Sequence, residues 1–125
     1  MKEETGNPYE ALERIFHEPN RLAIMSALCA ADEGMAFNDL KAGCGLTDGN
    51  LNRHLKALDA AGAIRIEKAF VDAKPRTTVF LSKQGLESFS EYLEALSAVL
   101  KKAKSAIPAE KKETAALPLA RAVRA

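Results

Sequence analysis

The chain is poor in most of what catalysis, secretion and membrane insertion require. It has no tryptophan, two tyrosines and five phenylalanines, so aromatic side chains make up 6% of its 125 residues. That argues against a single-strand binding platform, which presents several aromatics together. Cysteine and histidine are equally scarce: Cys29, Cys44, His17 and His54 are all there are. The four share no CxxC or i, i+4 pair, so neither a metal ligand set nor a disulfide framework is expected. No P-loop, GxSxG or HExxH motif occurs, and neither cysteine has a histidine close to it in sequence. No catalytic residue and no cofactor is therefore expected. No apolar run approaches the roughly 20 residues that span a bilayer, and the opening MKEETGNPYE lacks the apolar core of a signal peptide. A cytoplasmic protein with no membrane contact is the expectation, and reduced thiols fit it.

What remains is an ordinary globular composition, 47% hydrophobic and 28% charged, enough for one domain with a modest core. The formal net charge is only +1, so any attraction to nucleic acid must come from local placement of Lys and Arg.

Such placement occurs in residues 38–62, NDLKAGCGLTDGNLNRHLKALDAAG. A short helix over residues 39–42, capped by Asn38, is followed by a tight turn at Gly43, Cys44 and Gly45. Thr47 then caps a longer helix that Gly62 closes. In that helix Leu51, Leu55 and Leu58 stand at i, i+4 and i+7, forming one apolar stripe. The opposite face carries Gly49, Asn52, Arg53 and Lys56, amides and cations that suit base edges and phosphates. The pair reads as a helix-turn-helix with residues 47–61 offered to nucleic acid. An exposed polar face is also what any surface helix presents, so the rest of the chain has to decide.

Upstream, residues 1–8 read as a flexible terminus. Asn7 and Pro8, with Glu10, are spaced to start a helix whose apolar side is Tyr9, Leu12, Ile15 and Phe16, ending before Pro19. A second helix over residues 19–31 places Leu22, Met25, Leu28 and Cys29 on one face. Met35, Ala36 and Phe37 form a very short strand.

Downstream of Gly62 the apolar period falls to two. Ile64 and Ile66 alternate with Arg65 and Glu67, and Thr77, Val79 and Leu81 repeat the pattern on return. Residues 70–76 form the connecting loop, with Lys74, Pro75 and Arg76 in it, while Phe70 and Phe80 brace the hairpin against the body. Arg65, Lys68, Lys74 and Arg76 against Glu67 and Asp72 make the hairpin basic by two. A hairpin directly after a helix-turn-helix is the wing of a winged helix. Lys74 and Arg76 suit phosphates or the minor groove, and Pro75 stiffens them.

Ser82 caps a last helix, residues 82–107, in which Leu86, Phe89, Leu93, Leu96 and Leu100 step by three and four as an a/d seam, extended by Ala103 and Ile107. Tyr92 and Val99 widen the apolar side. A small core need not cover such a seam, so part of it is expected to pack on another subunit; the alternative is that all of it folds back onto the chain's own first helix. The tail, residues 108–125, is expected to be disordered. From Lys101 onward seven basic residues face two acidic ones.

LTDGNLNRHLKALDAAGAI resembles the recognition helix of ArsR-like and MarR-like winged-helix transcriptional regulators. HEPNRLAIMSAL resembles their preceding helix, and KPRTTVFLSKQG their wing and strand-to-helix joint. The resemblance spans roughly residues 9–104. It implies an α+β winged helix-turn-helix over residues 9–107, a homodimer, and a double-stranded pseudo-palindromic operator. Base and phosphate contact fall on Thr47, Asp48, Gly49, Asn50, Asn52, Arg53 and Lys56, and wing contact on Lys74, Arg76 and Thr77. Dimer contact falls on Leu12, Phe16, Leu86, Phe89, Leu93, Leu96 and Leu100. Asp48 is anomalous beside phosphates unless it accepts from a cytosine amine or only favours the helix N-terminus. Arg53 can reach a guanine, a phosphate or an acid such as Glu87, and His54 beside the stripe reads as a packing or hydrogen-bonding residue rather than a switch. The paired cysteines of metal-sensing ArsR members are missing, and no ligand domain is added. Two other readings stay open: a winged-helix module that binds protein, and a ligand- or redox-responsive switch.

Overall fold

The computed structural model describes residues 14–110. Four helices and a three-stranded antiparallel sheet follow in the order α1 (Pro19–Cys29), β1 (Met35–Ala36), α2 (Phe37–Cys44), α3 (Asp48–Ala60), β2 (Ile64–Val71), β3 (Lys74–Leu81) and α4 (Lys83–Ala106). The winged-helix architecture and its α+β class are as the sequence implies. Asn7, Pro8, Tyr9, Glu10 and Leu12, the expected flexible start and residues 111–125 lie outside the described residues.

Local chemistry explains most element ends. The Glu18 carboxylate accepts from the Arg21 backbone N–H at 2.8 Å and Pro19 occupies the first helical position of α1. Residues 14–16 form a turn, and α1 ends at Cys29, two residues short of expectation. Cys29 is exposed rather than on the apolar face, which Ile24, Met25 and Leu28 fill with Leu22 packed beside them.

α2 departs from its expected form. It starts at Phe37 and has Ala36 as N-cap with no side-chain cap bond, so Asn38 is not the cap. The cause lies across the sheet: β1 pairs Met35 with Val79 and Ala36 with Thr78, and the chain passes straight from that pairing into the helix. Phe37 packs against the core and joins the first turn. At its far end Gly45, at φ +66, lets Leu46 N–H reach the Lys41 carbonyl, the Schellman closure. α3 closes in the same way: Gly62 at φ +79, Ala63 N–H to the Leu58 carbonyl and Gly62 N–H to that of Asp59.

The core gathers Ile24, Met25 and Leu28 of α1, Leu40 of α2, Leu51, Leu55 and Leu58 of α3, Ile64 and Val79 of the sheet, and Phe89 and Tyr92 of α4, with Phe16. Phe16 meets Phe89 edge-on at 5.2 Å between ring centres, and the Tyr92 hydroxyl is 2.9 Å from His17 Nδ1.

Two joints hold the wing and α4 to this body. Ser82 caps α4 by accepting from Gly85 N–H at 2.8 Å, while its hydroxyl donates to the Gly62 carbonyl at 2.6 Å. Gly85 is buried so tightly that a Cβ there would stand 1.9 Å from the Ala63 carbonyl oxygen. At the other joint Gly34, at φ +80, leaves room for the Phe80 ring, and Arg65 lies 4.3 Å above that ring.

Candidate nucleic-acid interface

α3 is set by its own sequence at both ends. Thr47 Oγ1 accepts from Asn50 N–H at 3.2 Å, and the leucine stripe is driven inward, with Leu51 and Leu58 at 0% exposure. Gly49, Asn50, Asn52, Arg53 and Lys56 are thereby left exposed as one polar row, the predicted contact face. Arg53 donates to the Asn50 side-chain oxygen at 3.2 Å, so its nearest partner is a neighbour one turn back rather than Glu87. This bond turns the Asn50 NH2 group to act as a donor outward.

The Asp48 anomaly has a structural answer. Its carboxylate accepts from Lys41 Nζ at 2.6 Å across the turn between α2 and α3. Its charge is thus matched at the helix N-terminus, where an acid also meets the helix dipole favourably.

The hairpin is longer and its turn tighter than expected. Strand pairing continues through Phe70 with Pro75 and Val71 with Lys74, leaving only Asp72 and Ala73 as the turn, at φ 55 and 65. Positive φ at both central residues is the type I′ geometry, which matches the twist of the flanking strands. Residues 70–76 are therefore mostly strand. Lys74, Pro75 and Arg76 stand on β3 beside the turn and not in a loop. Pro75 is tolerated because bonded and non-bonded pairs alternate from the closing pair Val71 and Lys74, so it needs no ladder N–H.

Alternation splits the wing residues between two faces. Lys68 and Thr77 lie opposite one another on the face that begins with Ile64 and Val79 in the core, and with Asn52 and Lys56 of α3 they line a groove of about 400 Å³. A second groove of about 590 Å³ runs between Asn38 and Asp39 of α2 and Lys74 and Arg76 of the wing. The wing is thus flanked by two grooves, each with two lysine or arginine side chains on its wall and the second with Asp39 as well. Lys41 is not among the residues expected to make contact, and Lys68 enters that expectation only through the charge of the hairpin. Lys68 was findable, being the next even-numbered position after Ile64 and Ile66, whereas the partner of Asp48 carries no local signal.

His54 is the buried polar member of α3, at 2% exposure. Its Nδ1 lies 3.4 Å from an Arg21 guanidinium nitrogen and 3.9 Å from a Glu18 oxygen, and its Nε2 has no hydrogen-bond partner. Burial pushes the imidazole below its ordinary pKa, Glu18 partly opposes this, and Arg53 and Arg21 add to it. Burial would raise the Glu18 carboxyl, but the Arg21 backbone N–H and the charges of His54 and Arg21 bring it below its ordinary value. His54 is accordingly a packing residue whose charged form burial disfavours, and through it α3 rests on the start of α1.

The expected subunit seam divides. Phe16 and Phe89 are each 1% exposed within the chain's own core, and Leu96 packs half-buried against it. Leu86, Leu93 and Leu100, seven residues apart along one side of α4, and Ile107 at its C-cap stay 41–49% exposed. Among the described residues no three His, Cys, Asp or Glu side chains gather where a metal could bind, and no helix is long and apolar enough to cross a membrane.

Comparison with known proteins agrees with this geometry. The sequence profile of the winged helix DNA-binding domain matches residues 20–100. An uncharacterized protein of Methanocaldococcus jannaschii is 32% identical over 80 residues, covering 64% of this chain and 86% of that one. A transcriptional regulator homologue from Pyrococcus horikoshii OT3 superposes with a TM-score of 0.69 at 30% identity, over 75% of this chain and 93% of its own. A MarR-family transcriptional regulator from Silicibacter pomeroyi shares the fold at 18% identity, with a TM-score of 0.57 over 94% of this chain and 78% of its own.

Proposed function

The chain belongs to the winged helix DNA-binding domain family, and from that premise we propose that it is a dimeric transcriptional repressor of a pseudo-palindromic operator. α3 enters the major groove. Asn50, Asn52, Arg53 and Lys56 face base edges, and Thr47 and Gly49 at its N-terminus approach the phosphates. Lys74, Arg76 and Thr77 carry the wing onto the backbone or into the minor groove. Leu86, Leu93, Leu96 and Leu100 of α4 meet a second copy, spacing the two recognition helices to read half-sites about 34 Å apart or a multiple of it. Repression follows from occupancy of the promoter. The likeness to the transcriptional regulator homologue of Pyrococcus horikoshii OT3 supports this direction.

The observation that carries the reading is the exposed polar row of α3 beside the basic wing, with the acid at the helix N-terminus, Asp48, already held by Lys41. Selection from random duplexes with the purified protein tests it. A palindromic consensus is expected, bound with an affinity that falls by roughly 10³ to 10⁵ between about 50 and 200 mM salt for some 6 to 10 phosphate contacts. Recovery of no enriched sequence, together with salt-insensitive retention, would leave the fold as a protein-docking module and refute the proposal.

A further inference from the structure

Six large apolar side chains are conspicuously exposed among the described residues: three form the outward row of α4, Ile107 is its C-cap, and the other two are Phe70 and Val71 at the end of the wing. Phe70 is the extreme case, 76% exposed, and does not brace the wing against the body as its sequence position suggested. A phenylalanine this exposed beside a two-residue turn adds nothing to the buried core and leaves a large apolar surface in water. It sits opposite Pro75 as a non-bonded cross-strand pair, the closer-spaced kind, so the two rings form one apolar edge.

That edge has a definite direction. Phe70 and Pro75 continue the face on which Lys68 and Thr77 line the groove shared with Asn52 and Lys56 of α3. The wing's end also carries Lys68, Lys74 and Arg76 against Asp72 alone. A surface that is cationic around an apolar edge, and continuous with a helix facing base edges, matches a partner with an anionic exterior and an apolar interior stack. Duplex DNA is such a partner.

We propose that Phe70, backed by Pro75, is a wedge that enters a base step beside the sequence read by α3, unstacks it and bends the duplex. This rests on the DNA-binding reading above. Architectural proteins use phenylalanine, leucine or proline in this way and kink DNA by roughly 20 to 90°. Pyrimidine–purine steps open most easily, so the wedge also selects a flexible step at a position that no hydrogen bond reads.

The test uses the full chain and a duplex taken from the random selection, with 2-aminopurine substituted in turn at each position flanking the α3 site. Wild-type protein is expected to raise 2-aminopurine fluorescence at one step per half-site and to give a gel mobility that depends on where the site lies in the fragment. Phe70→Ala is expected to unfold at the wild-type temperature, bind about ten- to a hundredfold more weakly, as for the loss of one base–aromatic stack, and lose both signals. Phe70→Leu keeps part of each. Arg53→Ala weakens binding yet leaves the fluorescence rise in whatever complex forms. Unchanged affinity and fluorescence in Phe70→Ala would overturn the wedge while leaving DNA binding intact. So would loss of self-association without DNA, or wild-type binding to anionic phosphatidylserine vesicles that Phe70→Ala lacks, since these would assign the edge to a second copy or to a membrane. If the selection enriches no sequence, the parent reading fails and the wedge falls with it.

Discussion

Two helical glycines, Gly49 and Gly85, are expected to respond to the same substitution with opposite signs. In Gly85→Ala the new Cβ would lie 1.9 Å from the Ala63 carbonyl oxygen, 2.7 Å from its carbon and 2.9 Å from its Cα. Those are backbone atoms, and carbon packs against a neighbour at about 3.5 Å, so α4 must retreat by more than about 1 Å. The retreat strains the bond from Ser82 N–H to the Ala63 carbonyl, 3.1 Å, and that from the Ser82 hydroxyl to the Gly62 carbonyl, 2.6 Å. Overpacking costs about 1 to 3 kcal/mol and each weakened hydrogen bond about 1, against a gain of about 1 in helix propensity. The net expectation is a loss of about 2 to 4 kcal/mol, or roughly 10 to 20 °C in Tm for a domain of this size. Gly49→Ala is the control: nothing lies within 4 Å of its would-be Cβ, so only the propensity gain remains, about 0.5 to 1 kcal/mol of stabilisation. Urea and thermal unfolding followed by circular dichroism, at one fixed protomer concentration because association shifts Tm, measure both. A Gly85→Ala protein as stable as wild type would refute the close approach of α4 to the α3–β2 turn. A Gly49→Ala protein that is more stable yet binds DNA less well would show that the bare backbone there approaches the duplex.

Ala73 holds φ 65 in the wing turn without being glycine, so Ala73→Gly is expected to stabilise the domain by about 1 kcal/mol, read as a higher urea midpoint; a fall would mean that the type I′ turn is absent. His54 has a lowered pKa in the fold, so below about pH 6.5 the unfolded chain takes up a proton that the native state resists, and stability falls with pH through that window down to the native pKa. Urea midpoints between about pH 7.5 and 5 are expected to drop in wild type and to lose that slope in His54→Leu, whereas Glu18, lowered as a carboxylate, acts at more acid pH. The combined Arg53→Ala and Arg76→Ala variant is expected to lose sequence-specific retention, each base contact removed costing about 1 to 3 kcal/mol; a normal footprint would remove both residues from the interface.

Features that depend on neighbours along the chain were legible in advance. Thr47 and Ser82 as caps, Pro19 as the start of α1 and Gly62 as the end of α3 rest on bonds spanning three to five residues. The α3 stripe and the alternation of Ile64, Ile66 and Val79 are periodic signals of one helix and one hairpin. Local signals misled where another element intervened. Asn38 has the chemistry of a cap, but sheet pairing of Met35 and Ala36 moved the helix start upstream of it. The hairpin turn was hidden because Ala73 is an unusual residue for positive φ, and a loop around Pro75 was the simpler inference.

A winged helix-turn-helix, and the polar face that its second helix presents, are legible in the chain alone, because periodicity and caps are written within single elements. Tertiary structure alone decided which half of the α4 seam is spent on the core, as Phe89 and Tyr92, and which half is left over as Leu86, Leu93 and Leu100. It alone matched Asp48 with Lys41, set Gly85 against Ala63, and left Phe70 bare at the end of the wing. Each of these depends on where a distant backbone passes, and that position is set by close packing among several elements at once rather than by any one of them.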